Sequence, residues 1–208
     1  MLRPPLILSA LLTAPLLSLA ATGNLISNGS FESTAQSSGS WNIYNSIAGW
    51  TAGSLGVEVR NNVAGTALDG NNFIELDTTG NSSISQSFAT IAGAIYELSF
   101  SYASRTGTNN GTNGINWHLS GSSLGGEVGK NASTSWTTYT ATFTGTGSLM
   151  TLSFAANGKS DSLGTSLDAV SVTQLSSVSA VPEPESYAMM LAGLGAVGML
   201  ARRRRRKD

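Results

Sequence analysis

Nine carboxylates lie between Asn24 and Ala180: Glu32, Glu58, Asp69, Glu75, Asp77, Glu97, Glu127, Asp161 and Asp168. A glycoside-cleaving pair needs two carboxylates flanking one bond. Glu58, Glu75 and Asp77 are of the right type, but nothing in their spacing selects a pair. The chain has one histidine, His118, no cysteine, and no serine set in a nucleophile elbow. Thiol, transition-metal and serine-hydrolase chemistry therefore lack their residues, and the sequence reads as non-enzymatic. Asp69, Asn71, Glu75 and Asp77 lack the glycine and terminal glutamate spacing of an EF-hand loop. Asp69-Gly70 reads instead as a hairpin turn, with Glu75 on the wet face of the strand that follows.

Binding is the other chemistry available. Sugars are held by aromatic rings under their apolar faces and by amides, hydroxyls or carboxylates at their edges. Trp41 and Tyr44 sit among serines and asparagines and are the candidate platforms; the alternative is that they cap the fold. Trp117 alternates with polar neighbours and belongs to a core. Arg105 stands before an asparagine-rich loop and is a candidate for a sugar or a carboxylate, the alternative being an ion pair with Glu58 or Glu75.

These residues must be positioned by strands. Tyr96, Leu98, Phe100 and Tyr102 interleave with Glu97, Ser99 and Ser101. The same period of two recurs at Ile115–Leu119, Tyr139–Phe143 and Met150–Phe154, the mark of strands with one buried face. Leu25–Phe31, Val57–Arg60, Phe73–Leu76, Ile84–Phe88 and Leu167–Leu175 bring the total to about nine strands. Glycine-rich turns separate them and no helical period intervenes, which predicts an all-β, antiparallel jelly-roll sandwich over 21–180. Trp41 and Tyr44 fall in a loop of this scheme. Four cations (Arg60, Arg105, Lys130, Lys159) against the nine carboxylates give 24–180 a formal charge of −5, which speaks against nucleic acid as a partner. Without cysteine, no disulfide can staple the fold.

Both ends are addresses. Residues 1–20 carry Arg3, an apolar run from Leu6 to Leu19 and the small-x-small site Ser18-Leu19-Ala20, which describe a signal peptide cleaved after Ala20 and a passage through the secretion translocon. Residues 181–208 hold Val181, Pro182, Glu183 and Pro184, an apolar stretch over 187–201, and a basic cluster over 202–207: Arg202, Arg203, Arg204, Arg205, Arg206 and Lys207. The prolines keep their box extended. The apolar stretch is expected to form a transmembrane helix, rising roughly 22 Å against a hydrocarbon core of ~30 Å, so it is short for a permanent anchor. Each arginine costs about 2.5–3.5 kcal/mol at the bilayer centre, which stops the helix and keeps that end in the cytoplasm.

A Pro-Glu-Pro box, an apolar helix and an arginine cluster in this order resemble the PEP-CTERM sorting signal of Gram-negative bacteria that make exopolysaccharide. The resemblance implies processing near the box by an exosortase at the inner membrane, with the ectodomain outside the cytoplasm and then at the cell surface or beyond. Asn24-Leu25-Ile26-Ser27-Asn28-Gly29-Ser30-Phe31-Glu32, Gly49-Trp50, Val57-Glu58-Val59, Phe73-Ile74-Glu75-Leu76-Asp77 and Leu167-Asp168-Ala169-Val170 together resemble galactose-binding-like jelly rolls, among them many carbohydrate-binding modules. Such relatives bury a ring where Trp50 and Trp136 stand. They often carry a structural calcium, for which Glu32, Asp168 and the carbonyls around Gly29 supply oxygens of the right type. The function these resemblances imply is a non-enzymatic surface or matrix protein that meets exopolysaccharide or envelope glycans. The alternatives are a structural or adhesive matrix protein that binds other proteins, and a glycan-active hydrolase.

Overall fold

The computed structural model of the chain describes residues 23–108, 114–130, 132–176 and 184–204. The leader with Ala20, the box residues Val181, Pro182 and Glu183, and Arg205 and Arg206 lie outside the described residues. The chain divides into two compact units, Met1–Leu175 and Ser176–Asp208.

Unit one is a sandwich of β1 (Ser40–Tyr44), β2 (Thr51–Ala52), β3 (Val57–Asn61), β4 (Phe73–Glu75), β5 (Ser83–Ala89), β6 (Ile95–Ala103), β7 (Ile115–Leu119), β8 (Gly125–Val128), β9 (Thr137–Thr144), β10 (Leu149–Ala156) and β11 (Ser166–Ser176). One sheet has the order β1-β3-β4-β11-β6-β9 and the other β2-β5-β10-β7-β8. Neighbours pair antiparallel, as in β3–β4, β4–β11, β6–β9 and β5–β10. The alternation seen in the sequence is what turns one face of each sheet inward. Val57, Val59, Ile74, Leu98, Phe100, Leu167 and Val172 meet Ile84, Phe88, Trp117, Leu119, Met150, Leu152 and Phe154. Phe100 is the hub between sheets, its ring centroid 5.0 Å from Phe154, 5.3 Å from Trp117 and 5.1 Å from Tyr139. Leu167, Val170 and Val172 all face the core, so one residue is inserted between the first two. Ala169 absorbs it at φ +51°, a bulge that re-aims the strand.

Three expectations about the sandwich change. Residues 25–31 form no strand: Asn28 and Phe31 adopt φ of 53° and 60°, which breaks an extended chain. Trp41 and Tyr44 are on strand β1 rather than in a loop. Glu75 is fully buried rather than wet, because loops roof the outer face of its sheet.

The segment 24–32 nonetheless ties the sandwich shut. The Leu25 N–H donates to the Val172 carbonyl (2.8 Å) and the Val170 N–H to the Gly29 carbonyl (2.9 Å). Asn24 Oδ1 accepts from Val172 N (2.9 Å) and Ile26 N (3.0 Å). On the other sheet, the Gln86 amide of β5 accepts from Ser27 N (2.7 Å) and donates to Ser27 O (2.9 Å), doing with a side chain what a strand would do with its backbone. Phe31 then enters the core beside Trp50, ring centroids 5.8 Å apart.

Unit two contains α1 (Pro184–Arg204), a helix three residues longer at each end than the expected 187–201. Pro184 starts it, where a missing N–H costs nothing, and Arg202–Arg204 occupy the last turn, where cations suit the helix dipole. The transmembrane expectation is corrected: among the described residues no helix is long and apolar enough to cross a membrane. Gly193, Gly195, Ala196 and Gly198 add little apolar surface, and Glu185 and Arg202 bound an uncharged stretch of only sixteen positions, 186–201.

Gly29 has no room for a side chain, since a Cβ there would fall on the Val170 carbonyl oxygen. Gly29→Ala is expected to destabilise the sandwich by about 1–3 kcal/mol, seen as a lower urea midpoint at unchanged slope; an unaltered midpoint would refute this account of the closing segment.

Candidate functional site

Alternation on β3 sends Val57 and Val59 inward, and Glu58 and Arg60 outward. Register carries the pattern across the sheet: Trp41 lies beside Arg60 and Ile43 beside Glu58, while Phe73 pairs with Arg60 and Glu75 with Glu58. Ser166 follows on β11, opposite Glu75. The outer face of the six-stranded sheet thus collects two facing carboxylates and an arginine.

That centre is closed. Arg60 is 0% exposed; its Nε donates to Glu58 Oε1 (2.6 Å) and its Nη2 pairs with Glu75 Oε2. Arg105 Nη1 reaches the same Glu75 oxygen at 3.2 Å and the Ser162 carbonyl at 2.9 Å, so of the partners considered for Arg105 it takes Glu75. Glu75 Oε1 accepts from Gly164 N. Burial pulls the Arg60 guanidinium below its ordinary value, and the Glu58 carboxylate pulls it back up. Loops form the roof: the Trp136 Nε1–H donates to the Thr66 carbonyl (2.9 Å) and its ring stands edge-on to Phe73 at 5.9 Å. Trp136 is therefore half-buried in this roof, whereas Trp50 and Trp117 lie in the core. Glu58 and Glu75 are tied to arginine beneath it, a poor setting for a general acid and a base that must reach substrate.

The two candidate platforms separate. Tyr44 packs inward against the core, its hydroxyl donating to Gln36 Oε1 (2.9 Å). Trp41 points outward from an edge strand and is 53% exposed, with Ser38 and Asn62 exposed near that end of the β1–β3 pair. An exposed indole with a hydroxyl and an amide near it can take the apolar face of a ring and the groups at its rim.

A second feature is a cleft of about 430 Å³ between the closing segment and β11, lined by Asn24, Asn28, Ser30, Asp69 and Ser171 among others. Of the oxygens foreseen for calcium, the Gly29 carbonyl belongs to a residue that lines it, and Glu32 and Asp168 bond to backbone N–H groups. Asp168 Oδ2 accepts from Leu68 N (2.8 Å) and Asp69 N (3.0 Å), and its Oδ1 from Ala169 N (2.7 Å). Glu32 Oε1 accepts from Asn71 N (2.8 Å) and Asn72 N (2.6 Å), and the Gly29 carbonyl is taken by Val170 N. These bonds engage both oxygens of Asp168 and one oxygen of Glu32. Glu32 and Asp168 are the clamps of the 68–72 turn.

Sequence reasoning missed Arg60, Gln86 and Asn24 as organising residues. Arg60 carried no such signal because alternation reports a face and not what covers it; the polar ends of Asn24 and Gln86 carried no pattern.

Burial pushes the Asp168 carboxyl up to about 6 from 3.8, the backbone N–H groups of Asp69, Ala169 and Leu68 opposing it and the Asp69 charge adding to it. The folded protein holds this proton more tightly than the unfolded chain, so the stabilisation is full below 3.8 and lost as pH rises through 6. Wild type should gain stability relative to Asp168→Asn on acidification from pH 7 to 4, by at most about 1.4 kcal/mol per pH unit in that window. Urea unfolding of the pair checks this; a pH-independent difference would contradict it.

The PEP-CTERM protein-sorting motif matches residues 180–206. No curated protein matches the chain. Among solved structures, the chain is similar to TmCBM61, determined in complex with β-1,4-galactotriose, at 15% identity and a TM-score of 0.51, over 73% of this chain and 99% of that one. It is also similar to the arabinose-bound MgGH51 α-L-arabinofuranosidase at 12% identity and a TM-score of 0.50, over 74% of this chain and 26% of the enzyme. At these identities the likeness establishes the jelly-roll fold. The family described as "Protein of unknown function (DUF642)" matches residues 24–173, and the chain belongs to the DUF642 family.

Proposed function

We propose that this chain is an exported, non-enzymatic glycan-binding protein of the bacterial surface or extracellular matrix. The leader takes it through the translocon, and an exosortase processes the tail near Pro182–Pro184 at the inner membrane. The jelly roll then holds a neutral polysaccharide of the envelope or exopolysaccharide against Trp41. One observation carries the binding reading: Trp41 is an indole more than half exposed, fixed outward on a strand. Large rings are ordinarily withdrawn from water in such folds. The sorting motif at 180–206 supports export, and the likeness to a module solved with a galactotriose makes a sugar the natural occupant. The non-enzymatic reading is supported by Glu58 and Glu75 being locked to Arg60.

Affinity gels containing β-galactan or the producing organism's own polysaccharide test the binding. Retention of the protein is expected, with at least a tenfold loss in Trp41→Ala, a difference of about 1.4 kcal/mol, and none in Tyr44→Phe. Retention indifferent to Trp41 would move the site elsewhere, and no retention would favour a structural matrix role. Release of reducing sugar from either polysaccharide would favour the hydrolase. The sorting reading is checked by the mass of the protein recovered from its cells: the leader and the residues beyond the Pro-Glu-Pro box should be gone, and an intact 208-residue chain would overturn it.

A further inference from the structure

β4 has three residues and β11 eleven, so β11 runs on past the start of β4. The closing segment takes the place beside it, through the Leu25–Val172 and Gly29–Val170 backbone hydrogen bonds. The cleft of about 430 Å³ opens along this seam, and Asp69 of the 68–72 turn completes its lining. Its walls are set before any ligand arrives. Asn28 and Ala169, one from each side of the seam, both line it in the left-handed region, at φ 53° and 51°. The Asn24 side chain spans the two sides, its Nδ2 donating to the Val170 carbonyl (3.3 Å) while its Oδ1 accepts from Val172 N (2.9 Å). The Asn28 amide is tied to the Ala48 carbonyl (2.8 Å) and to Ser33 N (3.0 Å). Strained backbone held in place by its surroundings gathers at ligand clamps, and a wall already ordered spares a ligand the cost of ordering it.

While the two asparagines hold the walls, three other lining groups are available. The Ser30 and Ser171 hydroxyls and the Asp69 carboxylate have no partner within the protein among the described residues. Ser171 follows the inward Val170 on β11 and so faces away from the core. Hydroxyls both donate and accept, and a carboxylate accepts from two neighbouring hydroxyls at once. An anionic ligand would meet no cation in this lining, and the Asp168 carboxylate stands behind it, bonded to Asp69 N (3.0 Å). No aromatic ring lines the cleft, so a ligand is gripped there by its polar edge and not by a face. The volume is at the small end of ligand pockets, which run roughly from 300 to 1,000 Å³. It suits one sugar unit better than a stretch of chain.

We propose that this cleft is a second glycan subsite, in which Asp69, Ser30 and Ser171 take the hydroxyl edge of a single neutral sugar unit at the end of a chain. The inference rests on the glycan-binding reading above, but not on Trp41. In the sheet order β1-β3-β4-β11, β11 stands three strands from the strand that carries the indole, roughly 14 Å at a strand spacing of ~4.8 Å. Trp41 offers a platform to the face of a ring, and the cleft offers acceptors and hydroxyls to its rim.

The test is saturation-transfer NMR of the full-length protein titrated with methyl β-galactoside, methyl β-glucoside and methyl β-mannoside. At least one should bind saturably, in wild type and in Trp41→Ala alike, and methyl β-glucuronide should bind more weakly than that one. Asp69→Ala should weaken binding about tenfold, the loss expected when a charged hydrogen-bond partner is removed. Ser171→Trp, which fills the cleft from the outer side of β11, should abolish it. Neither substitution enters the core, and an unchanged urea midpoint verifies that each variant is folded. Binding undiminished in both variants, binding lost in Trp41→Ala, or a glucuronide held as tightly as the neutral glycosides would overturn the proposal. If no glycoside binds while polysaccharide gels still retain the protein through Trp41, the cleft is excluded and the glycan-binding reading stands; if neither binds, both fall.

Discussion

Arg60 is the fixed point of the domain. It is wholly buried between Glu58 and Glu75, which face one another across β3 and β4. Like charges directly opposite on a sheet repel, and each is costly to remove from water. One guanidinium reconciles both, and removing a partner from such a buried pair typically costs 3–5 kcal/mol. A charged centre of this kind must also be sealed. The Trp136–Thr66 hydrogen bond, the Phe73 ring and the Arg105–Ser162 contact hold the loops that seal it.

Sealing the centre decides where a ligand can go. The middle of the six-stranded sheet is unavailable, and the exposed ring is left at its margin, on β1. Trp41 and Arg60 are neighbours in register, yet one is open and the other closed, because the roof ends between them. Rigidity at Arg60 thus becomes orientation at Trp41: the edge strand that presents the indole is paired along its length to the strand that carries the buried arginine.

The sandwich was legible in the sequence because a strand's inward face is a local property. Tyr96–Tyr102, Ile115–Leu119 and Met150–Phe154 announced themselves by period two and stand where expected. Residues 25–31 misled because their apolar content is real, Phe31 being fully buried, while their backbone is set by side-chain partners far away in sequence. Trp41 and Tyr44, three residues apart on one strand, face opposite ways; composition grouped them as loop platforms, and pleating separated them.

What the sequence alone determined was a disulfide-free, acidic β-sandwich followed by a sorting motif, since composition, short-range period and contiguous motifs depend only on neighbours along the chain. Tertiary structure decided which polar residues are buried, which ring is exposed and which carboxylates are already satisfied. Those outcomes turn on what lies above a sheet face: Glu75 meets Arg60 from β3, Arg105 from the end of β6 and Gly164 before β11, contacts that exist only once distant segments have closed over it.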